Sequence, residues 1–471
     1  MEAVGLVMLA SVAGLLAVTG LPVFVVLVGV SVVGAVTGMA GGVFTFPVLT
    51  ALPNRLTGLL ENDLLQALPL YVLMGALLDR LPLAEILFGG AATLVRRSGA
   101  APLLAALGVG ALIAPMNGSV AASATTLGRV VAPRLAAAGI RPERSLAVIC
   151  LASTFGVVVP PSLVLLLLGD AMMRAHTEAL NATGQMTRIL NTQDLFRGAV
   201  GPAALLLGLS LAVAWWSGRK GKPGTVPPLG GKALILAGAV ALFIMTLLGG
   251  VAVGRFYAVE AASMGAFALA LGGVVSGRLS LNVLNEVLVD TMAVSGALFA
   301  LFAGATTFTL VFRLFGSDRL LAGLVEALPF GATGALAGVL VILAASALVL
   351  DAFEIIFVIV PVLMPPLLVR VPDAVWVAVA ALLTLQASFL LPPLGQAVLM
   401  ARRVVAEAPR TGILLRAVAP FLGLQLAVLA LVLAFPALVH LTEPAAAPAI
   451  QIQGGSQDWT ATPLYEAEPT R

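Results

Sequence analysis

The hexapeptide Ala114-Pro115-Met116-Asn117-Gly118-Ser119 interrupts a run of thirty-one uncharged residues held between Arg97 and Arg129. That run has the wrong length for ordinary membrane crossings. A spanning helix takes about 20 residues, so two of them with a turn need roughly forty or more. The segment 98–128 is therefore expected to enter the bilayer, turn back halfway and leave by the same face. Backbone that is not helical survives at such depth only where protein or a water-filled cavity covers it, and broken helices of this kind build the midplane sites of solute transporters.

Composition agrees. Hydrophobic residues make up 60% of the 471 positions and charged residues 10%, with a mean hydropathy of +1.10. This is a polytopic α-helical membrane protein rather than a soluble domain. The basic pI, near 9.4, comes from short Arg and Lys clusters between apolar runs, which orient a membrane protein and do not form a nucleic-acid surface. The single cysteine, Cys150, lies in an apolar run and is expected to be buried. The chain begins Met1-Glu2 and turns apolar without a basic leader, so its first helix is expected to stay attached.

Apolar segments near 3–19, 22–39, 64–79, 145–169, 198–217, 231–253, 257–276, 291–315, 374–400 and 414–440 give about ten candidate crossings. Two more, 98–128 and 332–369, are broken at the centre and are expected to be re-entrant hairpins. The basic loop Arg219-Lys220-Gly221-Lys222 after Trp215-Trp216 belongs in the cytoplasm. The first hairpin then opens inward, the second outward, and the 170–196 loop faces out. His176 in that loop and His440 at a helix end are expected to be solvated, which argues against a metal centre.

The two halves repeat one order of elements. A crossing ends in Asp79-Arg80 or Asp318-Arg319, then a short amphipathic stretch leads to a broken hairpin, and a crossing interrupted by Pro-Pro follows. Ser119 precedes Pro160 by 41 residues, and Asp351 precedes Pro392 by 41. Hairpins opening to opposite faces make this an inverted repeat, the arrangement that exposes one site alternately to either side.

Proline pairs inside a helix remove donors and leave preceding carbonyls outside the hydrogen-bond ladder. Free carbonyls and hydroxyls suit a hard cation such as sodium, and the exposed amides of a half-helix N-terminus suit a carboxylate. Asn117, Ser119, Ser153 and Thr154 near the first break, and Asp351, Thr384, Gln386 and Ser388 near the second, are the candidate sodium ligands, with Glu354 close by. Gly118, Ser119, Pro160, Pro161, Ser162, Pro392, Pro393 and Gly395 are the candidate substrate contacts. Other readings compete: Ser and Thr in membrane helices commonly bond a carbonyl one turn back, Pro365-Pro366 fits a simple kink, and Asp351 and Glu354 could lie at an interface. No His-Glu-x-x-His or Gly-x-Ser-x-Gly pattern is present and the two histidines are 264 positions apart, so the chain does not read as an intramembrane enzyme.

The stretches Asn117-Gly118-Ser119-Val120-Ala121, Ala132-Pro133-Arg134, Phe155-Gly156 through Pro160-Pro161-Ser162, Leu350-Asp351-Ala352-Phe353-Glu354-Ile355 and Leu385-Gln386 through Pro392-Pro393-Leu394-Gly395 resemble the large membrane subunit of tripartite ATP-independent periplasmic (TRAP) transporters, the DctM-like permeases. The likeness runs from about Gly20 to residue 440. It implies a sodium-coupled importer of a small organic acid, with Na+ as the coupling ion, in the bacterial inner membrane. A periplasmic substrate-binding protein would deliver the acid, and a small four-helix membrane subunit, expected as a separate chain, would stand beside this one. It also implies an elevator mechanism: residues 98–170 and 332–400, each a hairpin with its Pro-Pro broken helix, form a transport domain. A scaffold comes from 1–97, which includes the first arm, and 171–331, which holds the outer loop and second arm; 401–440 is a C-terminal helix and 441–471 a disordered tail. Where many relatives carry threonine this chain has Ala387 and Leu391, so the second sodium site has fewer hydroxyls. The rival within transport is a stand-alone ion-coupled anion or dicarboxylate permease of related inverted-repeat fold.

Overall fold

The computed structural model describes residues 3–61, 63–184, 188–224, 226–327, 329–391, 395–404 and 409–442. Their regular structure is all helical. In chain order the elements are α1 (Ala3–Thr19), α2 (Val23–Ala40), α3 (Phe46–Leu49), α4 (Ala51–Leu60), α5 (Asp63–Arg80), α6 (Leu83–Leu94), α7 (Ala101–Ile113), α8 (Val120–Ala137), α9 (Pro142–Val158), α10 (Leu163–Thr183) and α11 (Thr192–Gly218). The second half contains α12 (Gly231–Val253), α13 (Ala258–Val275), α14 (Leu281–Leu314), α15 (Ser317–Glu326), α16 (Gly331–Ser346), α17 (Ala352–Glu354), α18 (Val360–Arg370), α19 (Ala374–Phe389), α20 (Gln396–Val404) and α21 (Thr411–Ala434). A π-helical turn, Ile355–Ile359, joins α17 to α18.

Among the described residues, eight helical stretches are long and apolar enough to cross a membrane. Seven of the ten expected crossings are among them, and the eighth is Ala352–Arg370, the outgoing arm of the second broken segment. α1, apolar over Ala3–Leu16, and the 16-residue α19 fall short in length, and α5 ends in Asp79 and Arg80, which dilute its apolar character. Burial sorts the long helices into two kinds. The most apolar window of Pro142–Thr183 is 94% buried, whereas those of Gly231–Val253 and Thr411–Ala434 are 28% buried. A helix apolar all round is satisfied either by protein or by lipid, so α9 and α10 form the centre and α12 and α21 the lipid-facing rim.

Both broken segments are helix, break, helix: α7 and α8 flank 114–119, and α16 and α18 flank 347–359. Their packing is reciprocal. α8, which leaves the first break, lies along α20 of the second half, and α18, which leaves the second, lies along α10 of the first. α9 and α19 cross between them, and α21 covers both. Glycine and alanine let the first arm sit close to α9: a methyl on Gly110 would come within 2.5 Å of the Ala152 methyl, and one on Gly156 within 2.5 Å of the Ala114 carbonyl oxygen.

Three local expectations change. α10 continues past Asp170 to Thr183, so 170–183 is helix and not loop. His176 therefore lies on a packed helix, 8% exposed, with Nε2 3.4 Å from the Arg188 carbonyl oxygen. His440 Nε2 is 2.9 Å from Asp373 Oδ2 and half-buried, not freely solvated. Cys150 is buried as expected, its thiol 3.6 Å from the Ala397 carbonyl. The expected disordered tail lies, beyond Thr442, outside the described residues.

Candidate functional site

The first break closes onto the first Pro-Pro break. Gly118 has φ +69°, the left-handed region open to glycine, and a methyl there would lie 3.1 Å from Leu163 at the start of α10. Ser119 caps α8, its hydroxyl accepting from the amides of Ala121 at 3.2 Å and Ala122 at 3.5 Å. Ser162 caps α10 in the same manner, accepting from Leu165 at 3.1 Å and donating to the Val157 carbonyl at 3.3 Å. Pro160 and Pro161, joined by a cis bond, have no N–H to return to the carbonyls of Gly156 and Val157. Two capped half-helix N-termini thus meet a helix end where Ser162 takes up the Val157 carbonyl and the Gly156 carbonyl is left without its backbone amide.

Asn117 sits in the same place and is unlike its neighbours. It is 7% exposed, and neither Nδ2 nor Oδ1 has a hydrogen-bond partner. Gly75 of α5 backs onto it, with a methyl at that glycine falling 3.2 Å from the Asn117 Cα. A buried amide left wholly unpaired costs about 1–3 kcal/mol per polar group, a deficit that an oxygen-seeking cation beside Oδ1 would reduce.

The second break is built differently. Asp351 caps α17 by accepting from Phe353 N at 3.0 Å, and Glu354 Oε2 accepts from Asp351 N at 2.9 Å, a reciprocal capping box. The Asp351 carboxylate also takes a hydrogen bond from the side chain of Gln396 at the start of α20. This tip meets the helix after its own break, as Gly118 meets Leu163. Gly395 donates to the Leu391 carbonyl at 2.7 Å, and a methyl on it would strike the Phe389 carbonyl oxygen at 2.5 Å. Pro392 and Pro393 lie outside the described residues.

The other candidates gather elsewhere. Ser153 and Thr154 each bond a carbonyl one turn back, Cys150 at 2.7 Å and Leu151 at 2.8 Å. Thr384 and Ser388 do the same on α19, both at 2.8 Å. Thr154 is two residues from Ala152, hence on the opposite face of α9 from the first arm, and it accepts from Gln386 Nε2 of the second half at 3.4 Å. Gln425 of α21, which the sequence reading passed over, donates to the same hydroxyl at 3.4 Å. A lone amide amid Leu424-Gln425-Leu426 was the available signal, since intramembrane polar groups are seldom idle.

A cavity of about 460 Å3 opens between α4 and α14 on one side and α10, the π turn and α18 on the other. Its charged lining is Arg55, Asp170, Arg174, Glu178 and Arg313. Arg174 pairs with Asp170 at 3.1 Å, and Arg313 reaches across to Glu178 at 2.7 Å and to the Pro361 carbonyl at 3.4 Å. On α5, Asp79 accepts a hydrogen bond from Thr126 of α8, while Arg80 pairs with Glu286 and Asp290 of α14. No cluster of His, Cys, Asp or Glu suited to a metal ion occurs among the described residues.

Comparison with known proteins gives this geometry its setting. The chain is similar in fold to the YdaH transporter of Alcanivorax borkumensis, with a TM-score of 0.63, 19% identity and coverage of 84% of this chain and 89% of the other. It is also similar to MtrF of Neisseria gonorrhoeae, with a TM-score of 0.53 at 14% identity, covering 82% and 83%. In sequence it is 24% identical to the C4-dicarboxylate TRAP transporter large permease protein DctM of Rhodobacter capsulatus over 83% of this chain and 89% of that one. Similarity to the sialic acid TRAP transporter large permease protein SiaM of Vibrio cholerae is 26% over 81% and 87%. The isethionate permease protein DctMQ of Oleidesulfovibrio alaskensis is 25% identical over 79% of this chain, which spans 57% of that longer protein. The profile described as the tripartite ATP-independent periplasmic transporter, DctM component, matches residues 8–438. A match of that extent favours the TRAP reading over a stand-alone permease or an enzyme. This multi-pass membrane protein belongs to the DctM family of TRAP transporter permeases.

Proposed function

We propose that the chain imports a small organic anion across the bacterial inner membrane, coupled to sodium and fed by a periplasmic binding protein, with a small membrane subunit at its side. The observation that carries the reading is the meeting of the first hairpin tip with the first Pro-Pro break, Gly118 against Leu163 with the Asn117 amide buried and unpaired beside them. Asn117 Oδ1, the Ser119 hydroxyl and the carbonyls released by Pro160 and Pro161 are neutral oxygens of the type a monovalent hard cation takes, and the N-termini of α8 and α10 would face the carboxylate. At the second tip Asp351 and Glu354 are engaged in capping, so backbone oxygens around Ser388 and Gly395 would supply more of a second site.

Alternation would come from the two hairpins and their broken helices moving as one body against α1–α5 and α11–α14. Reciprocal packing of α8 with α20 and α18 with α10 supports that division, because it ties both hairpins into a single unit. The relatives whose names specify cargo carry a C4-dicarboxylate, sialic acid and isethionate, all anions; an anion of this kind is the proposed cargo here. The test is uptake into proteoliposomes holding the chain with its small subunit and ligand-loaded binding protein. Uptake should rise when sodium is higher outside; the same rate in potassium would refute sodium coupling.

A further inference from the structure

Apart from the hairpin tips, the charged cavity between α4 and α14 and the α10–α18 face has no role in the scheme above. Its charges are unbalanced. Among the described residues it gathers three guanidiniums, Arg55, Arg174 and Arg313, against two carboxylates, Asp170 and Glu178. Asp170 is 3% exposed and held by two nitrogens of Arg174, at 3.1 and 3.4 Å, so that pair is close to neutral and fixed. Arg55 makes no ion pair among the described residues. The Arg313–Glu178 pair is single-contact, with side chains 32% and 36% exposed, and it bridges helices on opposite walls. A pair of that kind is worth about 1 kcal/mol or less, little enough for a ligand carboxylate to compete with.

Resting on the reading of this chain as an organic-anion importer, we propose that the cavity is a second binding site for the carboxylate or sulfonate group of the cargo, in which the anion displaces Glu178 from Arg313 and takes Arg55 as its other contact. Arginine suits this task because its planar fork binds a carboxylate through two parallel hydrogen bonds, better than the single contact Glu178 makes. A cavity of about 460 Å3 holds a four-carbon diacid or a sialic acid with water to spare. Phe302 and Phe357, ring centroids 4.1 Å apart, supply an apolar wall from the two opposing sides. Because Arg313 sits on α14 and Glu178 on α10, an arriving anion would loosen the tie between those walls as it binds.

The competition has a sign that a merely structural ion pair lacks. Direct binding of succinate, N-acetylneuraminate and isethionate to the purified full chain, measured calorimetrically without a sodium gradient or a binding protein, reads it. Glu178→Gln, which removes the competitor and keeps the shape, should tighten binding of at least one of these anions by about fivefold, the equivalent of about 1 kcal/mol. Arg55→Gln should weaken it by a similar factor, and Arg313→Gln by about tenfold or more. Salt should weaken wild-type binding, since the site is partly open to solvent. Unchanged or weaker binding in Glu178→Gln would overturn the proposal even if Arg313→Gln proved unstable, as would absence of binding of all three anions to the wild type. Those results leave sodium-driven uptake standing; an uptake rate equal in sodium and potassium concerns the hairpin tips and leaves these affinities untouched.

Discussion

Gln386 of α19 donates its amide to the hydroxyl of Thr154 on α9, joining the two halves at one oxygen. Gln425 of α21 donates to that same oxygen, and all three residues are almost wholly buried. The orientation of both amides follows from Thr154. Its single proton goes to the Leu151 carbonyl at 2.8 Å, so it can only accept from them, and each carbonyl oxygen is turned away, where it has no partner. Thr154→Val keeps the shape but removes the acceptor from two buried amides. It should cost about 1–3 kcal/mol for each and lower the thermal unfolding midpoint in detergent, whereas Thr154→Ser should restore most of it. Equal midpoints for the valine and serine variants would show the hydroxyl to be dispensable.

If 98–128 is a hairpin that opens to one face, single cysteines at Ser98 and Gly128 react from the same side of the membrane. Impermeant thiol labelling of intact cells and inverted vesicles gives the answer directly. Modification from opposite sides would turn α7 and α8 into one crossing and remove the tip from the bilayer.

Gly118→Ala adds a methyl at φ +69° that would stand 3.1 Å from Leu163. The left-handed conformation costs a substituted residue about 1–2 kcal/mol, so the variant should fold with a lowered midpoint. Gly118→Leu should also stop uptake by filling the space between the tip and α10. Wild-type rates from the leucine variant would mean that nothing passes or binds there.

Ser119 and Asn117 should differ in stability and agree in ion response. Ser119→Ala removes an N-cap and a proposed sodium ligand together, so it is expected to cost about 1 kcal/mol without sodium and to weaken the sodium response as well. Asn117→Ala deletes an unpaired buried amide, so without sodium its midpoint should be equal or higher while its sodium response is lost. A sodium response equal to that of wild type in Asn117→Ala would remove that side chain from the coupling site.

The helical membrane class and the places of both breaks were legible because they depend on length and charge. Thirty-one uncharged residues around Asn117 permit few folds, and the pair Pro160-Pro161 follows directly on the end of α9, although Pro365-Pro366 lies inside α18. The capping of α8 by Ser119 and of α10 by Ser162 follows from the same local logic. What the sequence hid was long-range pairing. Thr154 and Gln386 both look like parts of their own breaks, and only the crossing of α9 with α19 turns them toward each other. His176 was hidden by charge: Asp170 and Arg174 resemble the start of a loop, yet as an i, i+4 pair they prolong α10. α4 escaped notice because Pro53 and Asn54 break its apolar pattern. With it went Arg55, whose place in the charged cavity depends on α14 and α10.

The lengthwise pairing of α8 with α20 also constrains biogenesis. An apolar but interrupted segment reaches the insertion machinery early, while α20, which will flank it, is the last but one of the described α-helices to be synthesised. Until the ribosome has passed residue 404, α8 lacks this neighbour and rests on α6, α7 and α9. In nascent chains halted in the loop after α11, a single cysteine on the α8 face that meets α20 should therefore react with a small thiol reagent, and protection should arrive abruptly once α20 is released into the membrane.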